Sequence, residues 1–218
     1  MENHKLPTLE DLEIKLEGLE SKRILVRSDL NVPITDGLVD DDLRIQGSLN
    51  TLKWLEERKA SVVVCSHLGR PAGQRNDKYS IQPVKEKILE ILPNLEVLEN
   101  LRFNPGEKAN EESFVEYLVS GAGGESFDAY VNDAFGASHR EHASIVGPPK
   151  HLPSAAGILL LREVEIVQKI LERPKRPFLL VLGGAKVSDK LALIEKMSDS
   201  VDQMIIGGGM CFTFLAAA

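Results

Sequence analysis

The sequence of 218 residues is 43% hydrophobic and 27% charged, and 26 Lys and Arg against 33 Asp and Glu leave a net charge of −7. Such a composition excludes a disordered chain, a collagen-like repeat and a small disulfide scaffold. With a pI near 5.3, a bulk nucleic-acid binder is excluded as well, because those domains carry a basic face.

The first twenty residues (MENHKLPTLEDLEIKLEGLE) lack the apolar core of a signal peptide. A first strand is expected at Arg23–Arg27 (RILVR). A helix over Arg44–Lys59 follows, with Leu49, Leu52 and Leu55 at three-residue spacing. The run Ser61–Cys65 (SVVVC) predicts a second strand, Pro83–Leu92 a helix, and Leu95–Leu98 a third strand. Asn110 is the expected N-cap of a helix over Glu111–Val119. Ala129–Val131 is the fourth strand. A long helix over 157–172 is expected to bury Leu159–Leu161, Val164, Val167, Ile170 and Leu171. After ERPKRP (Glu172–Pro177), strands at Phe178–Leu182 and Met204–Ile206 flank a helix over Ser188–Met197. The acidic run Asp40–Asp42 is expected in a solvated loop. No run approaches the roughly 20 apolar residues that cross a bilayer. Cys65 and Cys211, without CxxC spacing, fit a reducing cytoplasm.

Continuous apolar runs are the mark of strands covered on both faces. Their alternation with helices predicts an α/β fold, a doubly wound and mainly parallel sheet. Two prolines in ERPKRP stop one element and restart the chain, so domains of 1–172 and 173–218 are expected, the first including the interdomain helix 157–172. Residues 173–218 hold six Lys and Arg and four Asp and Glu, a charge of +2, which leaves −9 on residues 1–172. Two strands and one complete helix cannot bury a core of ordinary size. The second piece is therefore expected to be an incomplete α/β domain.

In open α/β sheets, ligands gather beyond the carboxyl ends of the strands. Asp29 and Asn31 follow the first strand, and the loop DGLVDDDLRI delivers Arg44. His67 and Arg70 follow the second strand, Arg102 the third and Arg140 the fourth. Four arginines and a histidine at successive strand ends point to a small polyanion, since the guanidinium fork matches phosphate and carboxylate oxygens. Asp29 and Asn31 add acceptors for a hydroxyl. Each charge-assisted hydrogen bond contributes ~1.5–3 kcal/mol. In the second piece, GGAKVSDK (Gly183–Lys190) and Gly207–Gly209 each follow a strand, where backbone N–H groups and a helix N-terminus favour an anion. Lys186 and Lys190 add charge, although neither GxxxxGK[ST] nor GxGxxG is present. His139 and His142 have a metal-compatible spacing, but no carboxylate or Cys completes a site.

Taken in order, RSDLNVP, DDLRI, SHLGRP, ENLRF, VNDAFGASHR, LGGAKVSDK and IIGGGMCFTFL closely resemble the phosphoglycerate kinase family from about Leu19 to Ala218. The resemblance implies two doubly wound domains joined by a long helix, one for 3-phosphoglycerate and one for the Mg-nucleotide. It implies a substrate site of Asp29, Leu30, Asn31, Arg44, His67, Leu68, Gly69, Arg70, Arg102 and Arg140. It also implies a nucleotide cleft of Gly183, Gly184, Lys186, Lys190, Gly207, Gly208 and Gly209. Arg44 and Lys186 would stabilise the phosphoryl group in flight. The implied activity is reversible, glycolytic transfer from 1,3-bisphosphoglycerate to ADP, giving 3-phosphoglycerate and ATP. The alternative is a fragment that binds 3-phosphoglycerate without turnover. Magnesium is expected to arrive with ATP or ADP, its protein contacts lying beyond Ala218, so no metal ligands are expected here. A cytoplasmic monomer is expected, with neither nucleic acid nor membrane as partner. Relative to the family pattern, the stretch between Arg70 and Arg102 is shorter by one strand–helix excursion.

Overall fold

The computed structural model describes residues 6–188 and 190–218. The chain forms two compact units, one ending at Val164 and the other running from Glu165 to Ala218.

The first unit opens with α1 (Leu9–Lys15), started by a capping box in which Thr8 and Asp11 satisfy each other's backbone amides. Strand β1 (Arg23–Ser28) follows, then a two-residue-per-strand hairpin of β2 (Ile34–Thr35) and β3 (Leu38–Val39). Asp36 and Gly37 turn it with φ of 52° and 78°, both positive as a type I′ turn requires. Helix α2 (Leu43–Glu57), β4 (Ser61–Cys65), α3 (Gln82–Ile91) and β5 (Glu96–Val97) come next. The rest of the unit is α4 (Pro105–Ala109), α5 (Glu112–Val119), β6 (Ala129–Asp133), α6 (Ala143–Val146), β7 (Ser154–Ala156) and the start of α7 (Ile158–Glu172).

Five strands form one sheet in the order β5-β4-β1-β6-β7, every pair parallel. Chain direction therefore reverses its march between β1 and β6, the switch point of a doubly wound sheet. Alternation along the strands divides the core. Ile24, Val26, Val62 and Val64 pack with Leu49, Leu52, Val84 and Ile88 on one face. Leu25, Val63, Cys65 and Tyr130 pack with Phe114, Val115 and Leu118 on the other. Both faces are covered, which is why the strands are apolar at every step rather than every second one.

Three expectations need correction. Asn110 does not cap the helix after it. With φ of 54° it is the left-handed C-cap of α4, and Glu111 takes the N-cap position of α5. Asn tolerates that conformation better than most side-chain-bearing residues. The apolar stripe of α7 is buried only at Leu160, while Val167, Ile170 and Leu171 are 40–46% exposed. The loop expected before Arg44 contains the β2–β3 hairpin. The acidic run itself is solvent-facing, with Asp42 in the N-cap position of α2 and the Asp41 carboxylate accepting from the Leu43 amide.

The second unit contains the rest of α7, then β8 (Leu179–Leu182), α8 (Leu191–Ser198), β9 (Gln203–Ile206) and α9 (Cys211–Ala217). Its two strands pair in parallel. Val181, Ile205, Phe212 and Leu215 are exposed by more than half. Among the described residues no helix is long and apolar enough to cross a membrane.

Candidate active site at the switch point of the sheet

The carboxyl ends of β1 and β6 part to leave a recess of about 140 Å³ lined by Asp29, Asn31, Arg44, His67, Gly136 and Arg140. Arg140 also lines an adjoining recess of about 280 Å³, together with Arg70, Ala72, Arg102 and Lys108. That second recess has four cationic side chains and no carboxylate. It suits an oxyanion with several oxygens, whereas the first offers acceptors as well as donors.

Each side chain reaches its place for a local reason. The Asp29 carboxylate is mostly buried and is ion-paired with Arg44, whose guanidinium is about half exposed. Gly136 lies against this carboxylate so closely that an added Cβ would sit 2.7 Å from Asp29 Oδ2. Asn31 Oδ1 accepts from the Gly69 amide at 2.8 Å, and Arg102 Nη1 donates to the Gly69 carbonyl at 2.7 Å. These bonds fasten the SHLGRP turn to its neighbours. Asn100 tightens the same turn, accepting from the Leu68 amide and donating to the Leu68 carbonyl. Arg102 is buried, and burial lowers its pKa, with Arg140 adding repulsion. An incoming anion would relieve that repulsion.

His67 is buried at the floor of the recess. Burial first, then the nearby cations Arg27, Arg102 and Arg140 and the imidazole of His142, push its pKa down to about 2. It therefore stands neutral at physiological pH.

Of the expected substrate residues, Asp29, Asn31, Arg44, His67, Arg70, Arg102 and Arg140 gather around these two recesses. Leu30 and Leu68 do not present their side chains there, since both are buried. Only their backbone could face a ligand, and the Leu30 amide is already bonded to Ser66 Oγ. Gly69 shapes the turn through the bonds given above. Lys108 and Gly136 are additions that the sequence did not single out. Lys108 sits on the short helix α4, whose five residues carry no periodic signal, and Gly136 matters only through its approach to Asp29. A larger recess of about 400 Å³ beside β5 is lined by Leu98, Phe103, Phe114 and Tyr117. Its one cation, Arg75, is paired with Glu99.

In the second unit, the turns after β8 and β9 stack on one another. The Met210 amide donates to the Gly184 carbonyl at 3.0 Å and the Gly207 amide to Leu182 at 2.8 Å. Gly208, at φ 68°, approaches Gly184 so closely that an added Cβ would lie 2.8 Å from its carbonyl oxygen. Gly183, Gly184, Gly208, Gly209 and Lys186 are solvent-exposed, Gly207 is half-buried, and Lys190 occupies the N-cap position of α8. Asp189 of the GGAKVSDK run lies outside the described residues. Among the described residues, no three His, Cys, Asp or Glu side chains come together as ligands for a metal ion. His139 and His142 accordingly form no such group.

Comparison with known proteins places this geometry. The family model described as phosphoglycerate kinase matches residues 13–97 and 94–218. The two matches meet at residues 94–97, between Arg70 and Arg102. The phosphoglycerate kinase of Finegoldia magna is 43% identical over 95% of this chain, and that of Thermomicrobium roseum 44% identical over 96%. The structure of phosphoglycerate kinase from Coxiella burnetii superposes with a TM-score of 0.84 at 35% identity, over 98% of this chain. In all three cases the chain spans 57% of the relative's length. The fold, the strand-end cations and these matches along nearly the whole sequence agree: this chain belongs to the phosphoglycerate kinase family.

Proposed function

We propose that the first unit is the acid-binding half of a phosphoglycerate kinase and takes 3-phosphoglycerate, or 1,3-bisphosphoglycerate, at the switch point of its sheet. The observation that carries this reading is the pairing of two recesses. Arg70, Arg102, Lys108 and Arg140 form a carboxylate-free anion site, and it adjoins a recess where Asp29 and Asn31 supply acceptors for a hydroxyl. In this reading the phosphate of the glyceric acid occupies the cationic recess. Its carboxyl end points to Arg44, and His67 donates a neutral hydrogen bond.

The reaction is then transfer of a phosphoryl group between an acyl phosphate and a nucleoside diphosphate. A terminal oxygen of ADP attacks the phosphorus, the bond from phosphorus to the acyl oxygen breaks, and the electron pair stays on the departing carboxylate. No protein nucleophile is required. Catalysis rests on alignment and on neutralising charge in flight, the role assigned to Arg44 and Lys186. Gly183, Gly184, Lys190 and Gly207–Gly209 would cradle the nucleotide phosphates. Magnesium would enter with ATP or ADP and add positive charge beside the nucleotide phosphates. The reading carries with it a glycolytic, cytoplasmic monomer.

For the 218-residue chain by itself, the second reading is binding without turnover. It is supported by a two-stranded second unit with Val181, Ile205, Phe212 and Leu215 open to solvent. Calorimetric titration with 3-phosphoglycerate at low and moderate salt tests the first reading. Saturable binding near one-to-one that weakens with salt is expected, and a folded chain that binds nothing refutes it. A coupled assay with MgATP separates the two readings, since measurable turnover eliminates the second.

A further inference from the structure

Among the described residues, Arg27 heads the fully buried side chains by volume, and it lines neither recess. It lies on β1 between Val26 and Ser28, on the sheet face of Leu25 and Cys65. A buried guanidinium needs both a counter-charge and a full set of acceptors. Arg27 has both. Its Nε donates to Ser144 Oγ at 2.9 Å, and Nη1 donates to the Ser28 carbonyl at 2.5 Å. Ser144 in turn donates its hydroxyl to Glu107 Oε1 at 2.7 Å and its amide to Glu107 Oε2 at 2.9 Å. Glu107 is itself fully buried. Carboxylate, hydroxyl and guanidinium thus form a relay from α4 through α6 to β1.

The last donor of that guanidinium, Nη2, lies 3.0 Å from His67 Nδ1. Arginine has no lone pair to offer, so the imidazole nitrogen must accept. The ring's one proton is thereby placed on Nε2, which has no hydrogen-bond partner among the described residues, while the ring lines the recess of Asp29, Asn31 and Arg44. We propose that Arg27, anchored through Ser144 on Glu107, is a positioning residue that fixes His67 as the neutral Nε2–H tautomer and presents it to the ligand as a donor. The proposal rests on the assignment of His67 to the ligand site, but the tautomer itself does not require a ligand. The other groups facing His67 act in the same direction. Arg102 from the turn after β5, Arg140 from the loop after β6 and His142 before α6 all oppose a second proton on the ring. Asp29, paired with Arg44, is the acid that lines the recess. Glu107 is linked to the ring through Ser144 and Arg27, and its Oε1 also lies 3.8 Å from His142 Nδ1.

Long-range proton–nitrogen correlation spectra of the ¹⁵N-histidine-labelled 218-residue chain, recorded without ligand from pH 5 to 8, test this. His67→Gln identifies the resonances among the five histidines. The expected wild-type result is a single Nε2–H tautomer with no protonation across the range. In Arg27→Met, the ring is expected to populate both tautomers and to take up a second proton at a higher pH than in the wild type. An Nδ1–H tautomer or a titrating His67 in the wild type overturns the proposal, as does an unchanged His67 spectrum in a folded Arg27→Met. If Arg27→Met does not fold, the wild-type spectrum still decides. Ser144→Ala, which removes one acceptor of Arg27, is then expected to admit the second tautomer, and an unchanged ring overturns the relay. Adding 3-phosphoglycerate afterwards separates the two ideas. A fixed tautomer with no binding retains the role of Arg27 and rejects the proposed ligand.

Discussion

Replacing Asp133 by Asn should make the first unit more stable at neutral pH and leave it unchanged in acid. Asp133 ends β6, is fully buried, and accepts the Leu160 amide at 3.1 Å at the start of α7. Burial raises its pKa from 3.8 to about 6, against the pull of the Thr51 hydroxyl and the amides of Leu160 and Leu159. Because the folded value lies above the unfolded one, the folded state binds the proton more tightly, and stability falls as pH rises between them. At about 1.4 kcal/mol per pH unit, the carboxylate costs the fold about 3 kcal/mol above pH 6 and nothing below pH 3.8. Asn keeps the carbonyl that accepts the Leu160 amide and drops the charge. The assay is urea unfolding at pH 4, 5, 6 and 7, followed by the fluorescence of Trp54. It is the one tryptophan of the sequence and lies on α2 in the first unit. Taking variant minus wild type cancels the carboxylates common to both. The difference should be near zero at pH 4 and should grow to as much as about 3 kcal/mol in favour of Asn at pH 7. A variant-minus-wild-type difference that stays constant from pH 4 to pH 7 would show that folding leaves the Asp133 pKa unmoved and would overturn the prediction.

Gly136→Ala must displace the end of the Asp29 side chain rather than backbone. Its expected effect is a roughly tenfold loss of 3-phosphoglycerate affinity, the worth of one charge-assisted bond, with unfolding midpoints little changed; equal affinities would contradict the site geometry. Asn110→Gly should leave stability nearly unchanged, while Asn110→Ala should cost about 1 kcal/mol, because only the latter meets a left-handed backbone with an unsuited side chain. Burial pushes the Cys65 thiol up to about 12, so at pH 8 a thiol reagent should label the half-buried Cys211 and leave Cys65 untouched until urea unfolds the chain. Hydrogen exchange should find β8 and β9 less protected than β1, β4 and β6, and equal protection would mean that the exposed apolar side chains of the second unit do not weaken it.

The central strands were legible because a doubly covered parallel sheet demands unbroken apolar runs, and ILV, VVV and AYV supply them. The strand-end arginines were legible for the same topological reason: once the strands are placed, the residues after them face one cleft. Helices α4 and α6 and strand β7 were not, since PGEKA, ASIV and SAA are too short to carry a period. Their structure is imposed by packing. Asn110 misled because the same side chain suits an N-cap and a left-handed C-cap, and the deciding neighbour, α4, was unseen. The partners of Arg27 were beyond reach for a different reason. An arginine inside an apolar strand signals a buried charge, but Ser144 and Glu107 lie far away in sequence and only the folded face brings them to it.

Strand β5 contributes two residues to the rim of the sheet, pairs only with β4 among the described residues, and follows α3 after the four residues Leu92–Leu95. The ligand recesses lie beyond the carboxyl ends of the strands, where β5 itself leads on to Arg102, whereas Leu92–Leu95 precede its amino end. A protein engineer can treat the α3–β5 corner as spare architecture: a reporter domain or affinity handle spliced between Pro93 and Asn94 would hang from the periphery. The same splice at the β1 or β6 end would pry apart the residues that meet the substrate.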